Sequence, residues 1–372
     1  MKKIGLIVNP IAGMGGSVGL KGTDGEEILA LAIERGAKAH VQDKVMQTLR
    51  DLNDYHGKIF FYTGSGDLGE KILINQQWPF EISYNSPRTD KTTAEDTIAA
   101  AKSFVKEGVD LVVFAGGDGT ARNIYEALGE NVPSLGIPAG VKIHSPVFAL
   151  SPKLAGQIII HYLFQNGGLI KREVLDIDED SYRIGRPITK LYGALTVLLE
   201  KKNMQNRKAP SPLSDGAVQQ AIAAYLLDTM SNDYYYLIGA GSTTSALKDL
   251  LHYKSSTLGI DLIYQRKALA TDLSEKEILT YIAGKKSKLI ITPIGGQGFL
   301  FGRGNQQLSA KVLDLIGKEN IIIVASETKI AGLQSKELTF YTGDDDIDQK
   351  LQGYYPVITG YGTKIMLKVR AI

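Results

Sequence analysis

A carboxylate set among three glycines and a hydroxyl, Gly116-Gly117-Asp118-Gly119-Thr120, is the part of this chain best suited to chemistry. Five apolar residues, Leu111 to Ala115, lead into it as a buried strand, and a helical pattern from Ala121 to Leu128 leads away. A strand, a glycine turn and a helix start together make an anion site. Bare N–H groups can approach a phosphate there, and the helix dipole favours negative charge. Asp118 would repel a polyphosphate, so it needs another purpose: holding Mg²⁺, or taking a proton from an attacking hydroxyl. The plainer reading is a tight turn with Asp118 as the N-cap of the next helix.

Other turns have a related composition. Asn9-Pro-Ile-Ala-Gly13-Met-Gly15-Gly16 follows the apolar run Ile4 to Val8. Gly13, Gly15 and Gly16 would let backbone approach a nucleotide while Asn9 fixes the loop or a phosphate oxygen. Gly239-Ala-Gly241-Ser242-Thr243-Thr244 delivers three successive hydroxyls into a helix start. One of them is expected to cap that helix, which leaves the others for a phosphate or ribose. Thr292 to Gln306 sets five glycines, Gly295 and Gly296 among them, around Arg303. Such a loop suits close approach to a ligand, and Arg303 suits bidentate contact with a phosphate. Lys142, just past Gly136-Ile-Pro-Ala-Gly140-Val, could neutralise a transferring phosphate. His144 and Ser145 show no acid partner in the sequence and no nucleophile elbow, which sets aside a serine hydrolase.

The elements that position these turns alternate. Strands are expected at Ile4–Val8, Lys58–Tyr62, Glu81–Tyr84, Leu111–Ala115 and Ser134–Ile137, with helices at Glu26–Arg35, Lys44–Tyr55 and Ala94–Glu107. The pattern predicts an α/β fold with a doubly wound parallel sheet, whose ligands bind beyond the strand C-termini. We place this nucleotide-binding domain at residues 1–145 and a mixed second domain at 146–372. Within the second, 171–200 reads as β, 216–330 as α/β, and Tyr361–Val369 as a closing strand. Asp344 to Asp346 and Asp348 read as a solvated loop, with a metal role as the lesser alternative.

At 372 residues the chain exceeds one hydrophobic core. The net charge of +2 supplies no field to recruit nucleic acid or an anionic membrane. The run after Met1-Lys2-Lys3 is too short for a leader, and no apolar stretch is long enough to span a bilayer, so a cytoplasmic protein is expected. There is no cysteine and there are only five scattered histidines, which excludes thiolate chemistry and disfavours zinc. A hard cation on oxygen ligands, Mg²⁺, remains.

Gly116 to Thr120 resembles the signature of the superfamily that unites NAD kinases, diacylglycerol and sphingosine kinases and 6-phosphofructokinases. The Asn9 loop is similar to that group's nucleotide loop. Gly136 to Lys142, Gly239 to Thr244 and Thr292 to Asn305 resemble its ATP-NAD kinase-like branch. The resemblance implies a Mg²⁺-dependent kinase that moves the γ-phosphoryl of ATP to the 2′-hydroxyl of NAD, giving NADP. It implies Asp118 as catalytic base or metal ligand. ATP phosphates would meet Asn9, Gly13, Gly15, Gly16, Gly116, Gly117, Gly119, Thr120, Asn123 and Lys142, and the acceptor would meet Gly241, Ser242, Thr243, Thr244, Gly295, Gly296 and Arg303. A homo-oligomer is expected from the same group. Another hydroxyl acceptor (a polar metabolite or a lipid), polyphosphate as donor, or a nucleotide sensor without turnover are the alternatives.

Overall fold

Six consecutive buried residues, Leu111 to Gly116, form the strand around which one sheet is built. This is a computed structural model, and it describes residues 1–20, 26–87, 92–141, 143–177, 189–199, 216–253, 255, 259–294, 298–333, 335 and 337–372. The chain divides into two compact units, Met1–Met14 with Ala39–Arg207, and Gly15–Lys38 with Lys208–Ile372. Each is an α/β unit.

The first unit holds β1 (Lys2–Val8), β2 (Ile59–Gly64), β3 (Phe80–Tyr84), β4 (Leu111–Gly116), β5 (Ser134–Pro138), β6 (Gly168–Ile177) and β7 (Thr189–Leu199), in the order β3-β2-β1-β4-β5-β7-β6. The first five are parallel in register, for example Ile4↔Leu111 and Val112↔Ser134. Strand order reverses between β1 and β4, which places the crevice of a doubly wound sheet beyond their C-termini. Helix Ala94–Glu107 begins in a capping box between Thr93 and Asp96 and ends on a left-handed Gly108. Its Phe104 packs against Gly5 of β1, where a Cβ would stand 2.3 Å from the ring. A larger residue at Gly5 would push that helix off the sheet.

The hairpin β6–β7, expected in the second domain, instead extends this sheet through the parallel pair Ser134↔Val197. Val174, Leu195, Val197 and Leu198 bury their side chains in the first core. Their alternation marks strands, and only that packing decides which sheet they join.

The second unit holds β8 (Tyr235–Ile238), β9 (Asp261–Tyr264), β10 (Lys267–Ala270), β11 (Ser287–Ile291), β12 (Ile321–Val324), β13 (Glu337–Phe340), β14 (Gly353–Ile358) and β15 (Lys364–Ala371), in the order β10-β9-β8-β11-β12-β14-β15-β13. β8, β11, β12 and β14 run parallel, and β15 closes antiparallel on β14 as the C-terminal strand. The segment 15–38 belongs here. A Cβ on Gly16 would meet the Gln306 amide at 2.8 Å, and one on Gly19 would meet the Asp272 carbonyl at 2.9 Å. The acidic cluster expected as a loop is a helix start: Asp344 accepts from the N–H groups of Asp346 and Ile347, and Ile347 and Leu351 are buried. Among the described residues no helix is long and apolar enough to cross a membrane.

Lys44 stands in the first turn of helix Val41–Asp51, and burial alone lowers its ammonium to about 8 from 10.5. Between these values the unfolded chain binds more protons, so stability rises with pH through that window. The penalty is full below pH 8 and gone above 10.5. Lys44→Met should therefore raise unfolding free energy at pH 7 by up to about 3 kcal/mol. The gain should fade by pH 11, as read from urea denaturation at both values. An equal gain at both would rule out the charge as its source.

Candidate active site

Gly117, not Asp118, is the N-cap of helix Asp118–Leu128, and no side chain caps that helix. Asp118 is free for another use. Its carboxylate is 5% exposed and turned toward the loop after β5. Oδ2 accepts from the His144 N–H at 2.6 Å and from the His144 ring at Nδ1 at 3.0 Å, and Oδ1 accepts from the Ser145 N–H at 2.9 Å. Ser145 is itself fixed, since its hydroxyl donates to the Leu175 carbonyl at 2.7 Å and accepts from the Leu175 N–H at 2.9 Å. The β6 strand thus anchors the loop that holds Asp118.

The acid partner that the sequence did not reveal for His144 is therefore Asp118. The two lie 26 positions apart, and no periodicity links them. The available signal was topological: β5 pairs with β4, so the turn after one must stand beside the turn after the other. Ala139 and Gly140 both donate N–H bonds to the Gly116 carbonyl at 2.9 Å, which locks those turns together.

β1 closes the other side. Asn9 donates from Nδ2 to the Thr120 hydroxyl at 3.1 Å, and its Oδ1 accepts from the Ile11 N–H at 3.2 Å. This bond bridges the point where strand order reverses. Gly13 has φ +76, and a Cβ there would stand 2.1 Å from the Ala139 carbonyl oxygen. A Cβ on Gly116 would meet the Thr120 hydroxyl at 2.3 Å. Both glycines are required by close approach within the protein.

Gly119 is different. It sits in the first helical turn with no positive φ, and a Cβ there would meet nothing within 4 Å. Packing does not require glycine, and helix propensity disfavours it by about 1 kcal/mol against alanine. Open space over a helix N-terminus is what a phosphate needs. We expect Gly119→Ala to leave stability unchanged or raise it by up to about 1 kcal/mol, while weakening ATP binding tenfold or more. Calorimetric titration with ATP beside thermal melting would separate the two effects. Unaltered affinity would remove Gly119 from the phosphate site.

The structure thus brings together Asn9, Gly13, Gly116, Gly117, Asp118, Gly119 and Thr120, with Asn123 half-buried further along the same helix. Gly15 and Gly16 lie in the short helix Met14–Ser17 and group with the second unit, because Gly16 packs on Gln306. Lys142, Gly295 and Gly296 lie outside the described residues.

In the second unit Gly241 is the N-cap of helix Ser242–Leu250, and none of the three hydroxyls caps it. Thr244 and Ser245 instead donate back to the Gly241 carbonyl at 2.9 Å each. Thr243 is buried and Ser242 exposed. Gly241 packs on Thr292, where a Cβ would come within 2.4 Å of the methyl, and Lys329 donates to the Thr292 hydroxyl at 3.0 Å. These residues share the C-terminal edge of β8, β11 and β12. Arg303 is buried, its guanidinium 5.8 Å from the Phe299 ring centre. Nearby, Asn305 donates to the Leu300 carbonyl at 2.7 Å, and its buried Oδ1 has no partner among the described residues.

A protein-held cation does not fit this geometry. Among the described residues no three acidic or histidine side chains gather around a metal position. N–H donors already occupy both Asp118 oxygens. A divalent ion is better accommodated on the phosphates of a bound nucleotide.

The glycine turn after β4 stands at the switch point of a doubly wound sheet, with a buried carboxylate–imidazole pair beside it. Residues 4–166 match the ATP-NAD kinase N-terminal domain, and residues 231–369 match the ATP-NAD kinase C-terminal domain. The chain belongs to the NAD kinase-like family, whose members use ATP and a divalent metal. No curated protein matches it.

Proposed function

We propose that the protein transfers the γ-phosphoryl of ATP·Mg to the 2′-hydroxyl of the adenosine ribose of NAD, giving NADP and ADP. The observation that carries this reading is the open backbone at Gly119 beside Asp118 and His144, at the strand-order reversal of the first sheet. The N–H groups at the start of helix Asp118–Leu128 bind phosphate oxygens, and the Asn9–Thr120 bond keeps that turn in place. Phosphoryl transfer needs positioning and charge stabilisation more than covalent help, so a rigid turn of this kind suffices. The turn at Gly241, Ser242 and Thr243 and the side chain of Arg303 are assigned to the dinucleotide, on their resemblance to the family's motifs.

Incubation with ATP, Mg²⁺ and NAD, followed by mass analysis of products, tests the reading. A mass gain of one phosphoryl on NAD with one ADP per product is expected. NAD left unmodified, while a polyol or nucleoside offered in a parallel incubation is phosphorylated, would overturn the acceptor. Polyphosphate replacing ATP at equal rate would overturn the donor.

A further inference from the structure

The carboxylate of the glycine turn is built to hold an imidazole, and this bears on which atom takes the acceptor's proton. An ionised carboxylate only accepts hydrogen bonds. The ring nitrogen facing Asp118 Oδ2 at 3.0 Å is Nδ1, so Nδ1 carries hydrogen, and a neutral ring then has its lone pair on Nε2. Nε2 makes no hydrogen bond with any described residue, and the His144 side chain is 10% exposed. Asp118 is committed instead. Three N–H groups already point at its two oxygens, two of them from backbone that Ser145 and Leu175 hold rigid. A side chain so engaged is a fixed support. Its partner keeps an open basic atom.

We infer that His144 is the catalytic base, with Nε2 as the atom that receives the proton, and that Asp118 is its positioning residue. The inference rests on the kinase reading above. In the transfer the acceptor's hydroxyl oxygen bonds to the γ-phosphorus, and the bond from that phosphorus to the β–γ bridging oxygen breaks. The bridging oxygen keeps the electron pair and leaves as ADP, while the hydroxyl proton moves to Nε2. The imidazolium so formed lies against the Asp118 carboxylate, which stabilises it without itself taking the proton, and the proton passes to water as products leave.

His144→Asn distinguishes the two candidates. Asparagine can keep an N–H donor toward Asp118 Oδ2 but has nothing in place of Nε2. If His144 is the base, kcat should fall about 10²- to 10⁴-fold. KM for ATP should stay within about threefold, with the melting shift induced by ATP·Mg retained. If Asp118 takes the proton itself, His144→Asn should keep kcat within about threefold of wild type, which overturns the inference. His144→Ala with added imidazole is the second arm, and decides the matter should the asparagine variant not fold. A rate that rises and saturates with imidazole supports His144, and no response in a variant that still binds ATP overturns it. A wild-type protein that phosphorylates some other hydroxyl removes NAD from the reading, and the same fall or retention of kcat in His144→Asn on that acceptor supports or overturns the base. A wild-type protein that releases no ADP with any acceptor overturns both.

Discussion

Asp118→Asn should lower kcat about 10³-fold or more while ATP binding survives. The substitution keeps shape and removes charge. One amide oxygen can still accept from His144, but the amide nitrogen then faces the Ser145 N–H, donor against donor. Such a buried mismatch costs about 1–3 kcal/mol of stability, which a folded domain can absorb. The larger effect is on the ring. Without the carboxylate's charge, the imidazolium formed during transfer loses its stabilising partner. Steady-state kinetics with NAD at saturating ATP, beside a titration of ATP binding, separates catalysis from folding. Turnover near wild type would show that this turn serves only to bind phosphate.

Lys248→Met should destabilise the second unit by about 3–5 kcal/mol, the largest stability effect expected from one substitution here. Lys248 and Asp261 form an ion pair at 2.7 Å whose side chains are 4% and 0% exposed. Asp261 also accepts from the hydroxyls of Ser255 and Tyr253 and, at 3.0 Å, from the Asp272 N–H. Burial, followed by the charge of Asp261, pushes the Tyr253 phenol far above its ordinary range, so it remains a donor. Removing the lysine strands a charge in the interior. Pairing the change with Asp261→Asn should recover part of the loss, since a neutral amide tolerates burial better. The urea midpoints of the two single variants and the double variant measure this. Additive losses would mean that the pair is not coupled.

Much of the first sheet could be read from the residues. Leu111 to Ala115 is too apolar for any place but a central strand, and Thr93 with Asp96 announces the helix that precedes it. The glycine turn was legible as the passage from β4 into a helix for the same reason: its signals are local. What was illegible depends on contacts made at a distance in sequence. His144 finds Asp118 only because β4 and β5 are neighbours, and the hairpin β6–β7 joins the first sheet because its apolar face completes that core. The hydroxyls after Gly239 looked like caps, yet the backbone of Gly241 takes that place and turns them to other uses.

The passage of Gly15–Lys38 into the second unit has a consequence for how the protein is made. A ribosome delivers β1 early, but the segment that follows it cannot dock until residues beyond Lys208 have emerged. The nascent first unit must therefore wait with an undocked excursion between β1 and helix Val41–Asp51. Chain termination at Arg207 would leave that excursion permanently without its partners, Asp272 and Gln306 among them. The two units are thus separable by compactness but not by cutting the gene once.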